Sequence, residues 1–226
     1  MKRAMRAIAA LAVVLWVSGS ALAVVTLEGD TNPAPFRNVE NPALTGYTLQ
    51  AWTFSNEADP SAPDVSINPN GEASADLIGG FFQNTVWLEN DLGHQGVWII
   101  DRGEGSDMMI RVPNYPPQNP IKKIWLQVVF NAQENKAPNV FVLPEGDDTQ
   151  PIPRMELVEL SAVDNSYMHA TYSLELPFNP TWEYIFIRPR DCQVYIDTVI
   201  AETQCIPEPM TLIILGLGSL LLRKRR

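Results

Sequence analysis

The chain has few of the residues on which catalysis and metal binding depend. Its 226 residues include two histidines and two cysteines. His94 and His169 have no partners at zinc-ligand spacing, and Cys192 and Cys205 are 13 positions apart. A GxSxG turn and a glycine-rich phosphate loop are also missing. These absences argue against a zinc site, nucleotide binding and nucleophilic catalysis, so the sequence predicts a protein that is not an enzyme.

Positive charge is scarce between the two ends of the chain. Nine of the 16 Lys and Arg residues, but all 26 Asp and Glu residues, lie within residues 24–209, which carry a net charge of about −17. A region this acidic repels a phosphate backbone, so nucleic acid is excluded as a partner. The same charge keeps a secreted domain dispersed and suits divalent cations.

Long apolar runs with a helical period are absent as well. Short runs rich in β-branched and aromatic residues recur about every ten to fifteen positions, separated by Pro, Gly, Asn and Asp. The clearest is Ile121–Asn131, in which apolar side chains alternate with Lys123 and Gln127. The pattern predicts an all-β fold, a jelly-roll-like antiparallel β-sandwich, with a closed barrel as the alternative. Strands are predicted at 47–54, 73–78, 82–89, 95–102, 108–112, 121–131, 140–143, 154–161, 167–176, 183–188 and 193–202.

The first 23 residues have the three parts of a secretory signal peptide. Lys2, Arg3 and Arg6 precede the apolar run Ala7–Val17, and small residues follow. We therefore expect export and removal of residues 1–23 by signal peptidase. The predicted cleavage residues are Ala21 and Ala23.

The last twenty residues form a second tripartite segment. A Pro-Glu-Pro motif precedes the uncharged run Met210–Leu222, and four basic residues follow. Thirteen helical residues span about 20 Å, so this single apolar helix would cross a hydrocarbon core of roughly 30 Å only if the bilayer thinned locally. The positive end would stay on the cytoplasmic side. The motif is Pro207, Glu208 and Pro209, and the basic end is Arg223, Lys224, Arg225 and Arg226.

This segment resembles the PEP-CTERM sorting signal of exported bacterial surface proteins. The resemblance implies transient membrane insertion, cleavage by an exosortase-type protease and delivery to the cell surface or extracellular matrix. The body is similar to planctomycete-type proteins that carry this signal. Gly96–Trp98 and Ile124–Val128 are among the segments that carry the similarity, which implies no activity. The predicted divisions are a signal peptide at 1–23, an arm at 24–46, a β-sandwich domain at 47–202, a linker at 203–206 and the sorting tail at 207–226.

Tryptophans suggest that the domain binds polysaccharide. Trp125 alternates onto the same strand face as Lys123 and Gln127, which predicts an exposed ring. Trp182, beside Asn179 and Pro180, is the second candidate for glycan binding. Most strand tryptophans are buried, so the first hypothesis is a structural or adhesive surface protein, with a carbohydrate-binding module as the alternative.

Acidic residues support two further hypotheses. Glu89, Asn90 and Asp91 cluster in one turn and offer the oxygen ligands that Ca²⁺ prefers, and no other cofactor is predicted. A glycoside hydrolase, the third function considered, would need two facing carboxylates, and Glu183 and Asp197 lie on late strands.

The two cysteines allow a disulfide only if the strand between them breaks. A continuous strand over Gln193–Glu202 would hold its ends about 30 Å apart. A disulfide needs Cα atoms within about 7 Å. Either the strand is interrupted or Cys192 and Cys205 stay apart, in which case Cys205 is available for an intermolecular bond.

Overall fold

The computed structural model describes residues 27–37, 39, 42, 46–79, 86–101, 106–114, 121–144 and 152–206. The predicted signal peptide and the predicted sorting tail, including its apolar helix, lie outside these residues. Within the described ranges, no helix has the length and apolar character needed to cross a membrane.

The described residues form an all-β protein, as the alternating pattern predicts. One short 3-10 turn, Gln133–Asn135, follows the seventh strand. The strands are β1 Tyr47–Trp52, β2 Val65–Ile67, β3 Ser74–Ile78, β4 Val86–Asp91, β5 His94–Asp101, β6 Asp107–Pro113, β7 Ile121–Ala132, β8 Asn139–Pro144, β9 Glu156–Ala162, β10 Met168–Leu176, β11 Trp182–Arg188 and β12 Gln193–Ile206.

These strands pair antiparallel in two sheets. Sheet A has eight strands in the order β2-β1-β12-β7-β10-β9, with β5 also paired to β12 and β4 to β5. Sheet B has four strands in the order β3-β6-β11-β8. The pairings of the described strands therefore form a two-sheet, sandwich-like arrangement instead of the closed barrel.

Strand β12 is the centre of sheet A. One of its edges pairs with β7 along nearly its whole length. The other edge pairs with β5 through Gln193–Ile196 and with β1 through Val199–Gln204. The residues proposed from sequence as a linker, 203–206, are thus part of a strand that is paired on both sides.

The main core lies between the sheets and is built from inward-facing residues of most strands of both sheets. On β7 these residues are Ile124, Leu126, Val128 and Phe130, each at most 1% exposed. Their period of two is the same alternation that predicts the strand. Burial of these side chains fixes the pairing register, because a shift by one residue would turn them all outward.

A second cluster covers the outer face of sheet A. Leu27 and Phe36 of the N-terminal arm pack on Tyr47, Leu49 and Ile200. The arm has no strand of its own among the described residues, as its prolines predict. It nevertheless closes one face of the sandwich, which decides the surroundings of the predicted glycan residue Trp125.

The two cysteines are not joined to each other. Cys192 is exposed immediately before β12, and Cys205 is buried near the strand's end. A paired strand rising about 3.3 Å per residue keeps them far beyond disulfide reach. The expectation that Cys205 is available for a bond to another molecule is wrong, since the thiol is 1% exposed and donates to Asn179 Oδ1 at 3.0 Å.

Candidate functional site

Trp125 is buried, so the prediction of an exposed ring is wrong. The side chain does share a face with Lys123 and Gln127, as its position in the strand requires. That face is covered by the arm, and Trp125 Nε1 donates a hydrogen bond to Asn32 O at 2.8 Å. Only 9% of Trp125 is exposed. A glycan could not stack on it while the arm is in place.

The arm is attached to this face by polar contacts. Asn32 N donates to Gln127 Oε1 at 3.0 Å, and Asn32 Nδ2 donates to Glu159 Oε2 at 2.6 Å. Arg37 binds Glu202 through Nε and Nη2 at 2.7 and 2.6 Å. Glu202 is fully buried on β12. These contacts make the arm part of the folded domain.

Trp182 lies on the outer face of sheet B, where the described residues leave it partly exposed. On β11 the side chains alternate, so that Glu183, Ile185 and Ile187 are buried between the sheets, whereas the residues between them face outward. Phe141 of β8 is paired with Phe186 and shares this side. We call these residues the outer aromatic face; all four are partly exposed, namely Phe141, Trp182, Tyr184 and Phe186.

Two guanidinium groups lie over rings of the outer aromatic face. The Arg111 guanidinium lies 3.5 Å from the centre of the Trp182 ring, and the Arg188 guanidinium lies 5.4 Å from that of Phe141. Arg188 also donates to both carboxylate oxygens of Asp107, at 2.8 and 2.6 Å. Rings bordered by fixed hydrogen-bonding groups are suited to a ligand that has both apolar and hydroxyl surfaces.

A cleft, which we call the His94 cleft, opens at the end of sheet A where β4 and β5 meet β12. Its volume is about 550 Å³. Trp87 is the only Trp, Tyr or Phe residue among the described residues that line the cleft. Its Nε1 donates a hydrogen bond of 2.9 Å to Phe54 O, which fixes the ring. The lining is mainly polar and acidic: Glu28, Thr53, Ser55, Trp87, Glu89, Asn90, Gly93, His94, Gln95, Gly96, Asp197 and Thr198.

His94 is held between two carboxylates. Its Nδ1 lies 3.1 Å from Asp197 Oδ2, and its Nε2 lies 3.0 Å from Asp164 Oδ2. The ring stacks on Tyr167 with centroids 3.7 Å apart. Burial lowers the pKa of His94, but the hydrogen bonds to Asp164 and Asp197 outweigh it and leave the pKa above the ordinary value.

A β-bulge accounts for the position of Asp197. The register of β12 against β7 shifts between Ile196 and Thr198, so Asp197 is the extra residue. The bulge turns its carboxylate toward His94. Burial raises the pKa of Asp197, and the hydrogen bond to His94 opposes this rise. While it is protonated, His94 can donate to both carboxylates and has no lone pair for use as a general base.

The predicted calcium residues do not converge on one point. Glu89 and Asn90 line the His94 cleft. Asp91 accepts a hydrogen bond from the Tyr167 hydroxyl at 2.9 Å, and Asn90 Oδ1 accepts one from Gly93 N. Across the part of the chain that the structure describes, no group of three or more His, Cys, Asp or Glu side chains is arranged to hold a metal ion.

The carboxylates considered for hydrolysis lie in different places. Asp197 lines the His94 cleft, whereas Glu183 is buried between the sheets with Lys122. They therefore do not form an acid pair.

His169 is also buried, with Nε2 3.0 Å from Gln127 Oε1, and burial lowers its pKa. Pro207, Glu208 and Pro209 of the predicted sorting motif lie outside the described residues.

Sequence reasoning missed Phe141, Tyr184 and Phe186, although a signal for two of them was present. The run Trp182–Arg188 alternates aromatic and aliphatic or acidic residues, which predicts one aromatic side of a strand. The position of Phe141 beside that side depends on the pairing of β8 with β11, which no local pattern reveals.

The comparisons with known proteins find distant fold likenesses. No protein-family model and no curated protein matches the chain. A family 29 carbohydrate-binding module from Piromyces equi is 13% identical, with a TM-score of 0.36, covering 69% of this chain and 90% of the module. A variant of a second family 29 module, complexed with mannohexaose, is 11% identical with a TM-score of 0.34, covering 70% and 92%.

A third solved structure comes from a different class of protein. The enzymatically active domain of bacteriophage CBA120 tailspike protein 4 is 14% identical, with a TM-score of 0.28, covering 76% of this chain and 20% of that one. At TM-scores this low, neither likeness decides between binding and catalysis, so the function has to be argued from the geometry.

Proposed function

We propose that this chain is an exported, non-catalytic, jelly-roll-like carbohydrate-binding protein that holds a neutral polysaccharide on its outer aromatic face. The observation that carries the proposal is the row of Trp182, Tyr184 and Phe186 on the outward side of β11, extended sideways by Phe141. The structural or adhesive role expected from the sequence then follows from attachment to a glycan matrix.

The dimensions of the face suit an extended ligand. Side chains two apart on a strand are separated by about 6.6 Å, so the three rings of β11 extend over roughly 13 Å. Such a row can contact successive sugar rings, whose C–H faces stack on aromatic rings while their hydroxyls reach polar groups beside them. We expect Arg111, which lies over the Trp182 ring, and Arg188, which lies over the Phe141 ring, to donate hydrogen bonds to those hydroxyls.

The charge of the protein narrows the ligand class. The formal net charge of the whole chain is −10. This acidic field repels anionic polysaccharides, and Arg188 is already paired with Asp107. A neutral polysaccharide therefore fits best.

We place this binding activity at the cell surface or in the extracellular matrix. The support is the sequence pattern at the two ends: a signal peptide with Ala21 and Ala23 at the cleavage positions, and a tail with Pro207–Pro209 before an apolar run. Signal peptidase and an exosortase-type protease would remove these ends. Mass spectrometry of the protein from its native envelope tests this, and intact termini on most molecules would contradict it.

Binding is tested by screening the full chain on an array of neutral and anionic glycans, then titrating the best neutral ligand. Trp182→Ala and Tyr184→Ala should each weaken binding about tenfold or more, which is about 1.4 kcal/mol. Trp87→Ala is the matched control, because it removes a tryptophan that lines the His94 cleft and not the outer aromatic face.

The outcomes separate the two surfaces. Loss with the β11 variants and full binding by Trp87→Ala supports the outer aromatic face. Loss only with Trp87→Ala would move the ligand into the His94 cleft and overturn the proposed site. Absence of binding to every neutral glycan would overturn the proposed function.

A further inference from the structure

Three polar side chains meet in the interior at one end of the sandwich. Lys122 of β7 belongs to sheet A, Glu183 of β11 belongs to sheet B, and Asn114 directly follows β6. Their exposed fractions are 0%, 0% and 4%. Burial of a lysine and a glutamate carries a desolvation cost of several kcal/mol per ion, so this pair is an expensive way to fill a core.

The Lys122 amine and the Glu183 carboxyl both contact the side-chain carboxamide of Asn114. Lys122 Nζ donates a hydrogen bond to Asn114 Oδ1 and lies 3.3 Å from Glu183 Oε1. Asn114 Nδ2 donates one hydrogen bond to Glu183 Oε2 and another to Pro180 O at 2.7 Å. The carboxamide is thus fixed in place, with the amine beside its carbonyl and the carboxyl beside its nitrogen.

Burial favours the uncharged form of Glu183. Burial raises the pKa of Glu183, and the opposing effects of Lys122 and Asn114 do not cancel the rise. Transfer of one proton from the ammonium to the carboxylate removes both charges from the interior. It also gives Lys122 a free lone pair and turns Glu183 into a proton donor, which are the states that acyl transfer requires.

We propose that Lys122 and Asn114 become joined by an intramolecular isopeptide bond, with Glu183 carrying the protons. The Nζ lone pair attacks Asn114 Cγ, and protonated Glu183 delivers its proton to Nδ2 and then takes one from Nζ. The Cγ–Nδ2 bond then breaks and ammonia leaves. Amine and primary amide become secondary amide and ammonia, so no oxidant, metal or cofactor is required.

Such a bond would join the two sheets covalently. It closes a nine-residue ring from Asn114 to Lys122, across the connection between β6 of sheet B and β7 of sheet A. The two cysteines do not bridge each other, so the isopeptide bond would be the cross-link of this domain. This inference does not depend on glycan binding.

The test is mass spectrometry of a tryptic digest of the full chain. Trypsin should release the peptide Val112–Lys123 uncut after Lys122, because that side chain is acylated. Its mass should be lower than the sequence mass by about 17 Da, the loss of one ammonia. Fragmentation should give no single-cleavage backbone ions between Asn114 and Lys122, because the segment is a ring. If the wild-type peptide has the mass expected from its sequence, that result alone overturns the proposal.

Two variants distinguish this bond from other chemistry. Formation of a succinimide at Asn114 also releases ammonia, but it leaves the bond after Lys122 open to trypsin. The succinimide would also form in Lys122→Arg, so a loss of about 17 Da in that variant would overturn the proposal. Glu183→Gln keeps the size of the side chain and removes the proton carrier, so its peptide should keep the ordinary mass. Bond formation in folded Glu183→Gln at the wild-type rate would refute the role of Glu183.

Discussion

Replacement of Arg37 by methionine should destabilise the domain, because it leaves Glu202 buried without a cation. Glu202 has no exposed surface and accepts hydrogen bonds from Arg37 Nε and Nη2 at 2.7 and 2.6 Å. Its other partners are the Tyr47 hydroxyl at 2.6 Å and Ala34 N at 2.9 Å. Neither of these brings a positive charge. Arg37→Met therefore converts a compensated carboxylate into a buried, unpaired one.

The size of the effect follows from the burial of the pair. Removal of one partner from a buried ion pair costs about 3–5 kcal/mol. The Arg37 side chain is 22% exposed, so water can reach its side of the contact, and we expect the lower value, about 3 kcal/mol. In a domain of this size each 1 kcal/mol lowers Tm by about 2–4 °C, so Tm should fall by about 6–12 °C.

Urea denaturation followed by tryptophan fluorescence measures this loss, with Trp125 reporting directly on the arm above it. Lys136→Met is the matched control: Lys136 is paired with Glu134 and Asp191 at 2.8 and 3.1 Å, but all three side chains are partly exposed. Its loss should be much smaller than that of Arg37→Met.

The double variant Arg37→Met/Glu202→Met should recover part of the stability that Arg37→Met loses, because it removes the buried Glu202 carboxylate. Recovery should be incomplete, because Asp30, the second carboxylate paired with Arg37, remains without its cation. Equal losses for Arg37→Met and Lys136→Met would refute the reasoning, since they would mean that the Glu202 carboxylate does not need its cation.

Three further substitutions, one of them a control, test the His94 cleft. His94→Gln should lower stability below about pH 6.5, because the raised pKa of His94 keeps the wild-type imidazolium paired with its carboxylates there. The loss should shrink as the pH rises through the pKa of folded His94. A difference in Tm that does not change with pH would contradict this prediction. Gly96→Ala should prevent normal folding, because φ is +73° and a Cβ would lie 2.1 Å from Phe54 O. Gly93→Ala, with φ +99° but no atom within 4 Å, should cost about 1 kcal/mol; equal losses in thermal denaturation would refute the clash.

Most strands could be predicted because their signal is local. Alternation between buried and outward side chains is visible in each run by itself, as in Ile121–Ala132 and Trp182–Arg188. The three-residue strand Val65–Ile67 was missed because it is too short to show a period. The end of β12 was placed too early, because Thr203–Ile206 belongs to the sheet only through its partners β1 and β7.

The sequence by itself determined that the part of the chain the structure describes is all-β, which residues of each strand share a side, and that the segment between the two ends is acidic. Which side meets water was decided by tertiary structure: the arm covers Trp125, whereas the described residues leave Trp182 partly exposed. The meeting of Lys122 and Glu183 was likewise decided by the packing of two sheets. Alternation is a property of neighbours along the chain, whereas burial depends on segments far apart in sequence, and no local pattern specifies which of them come together.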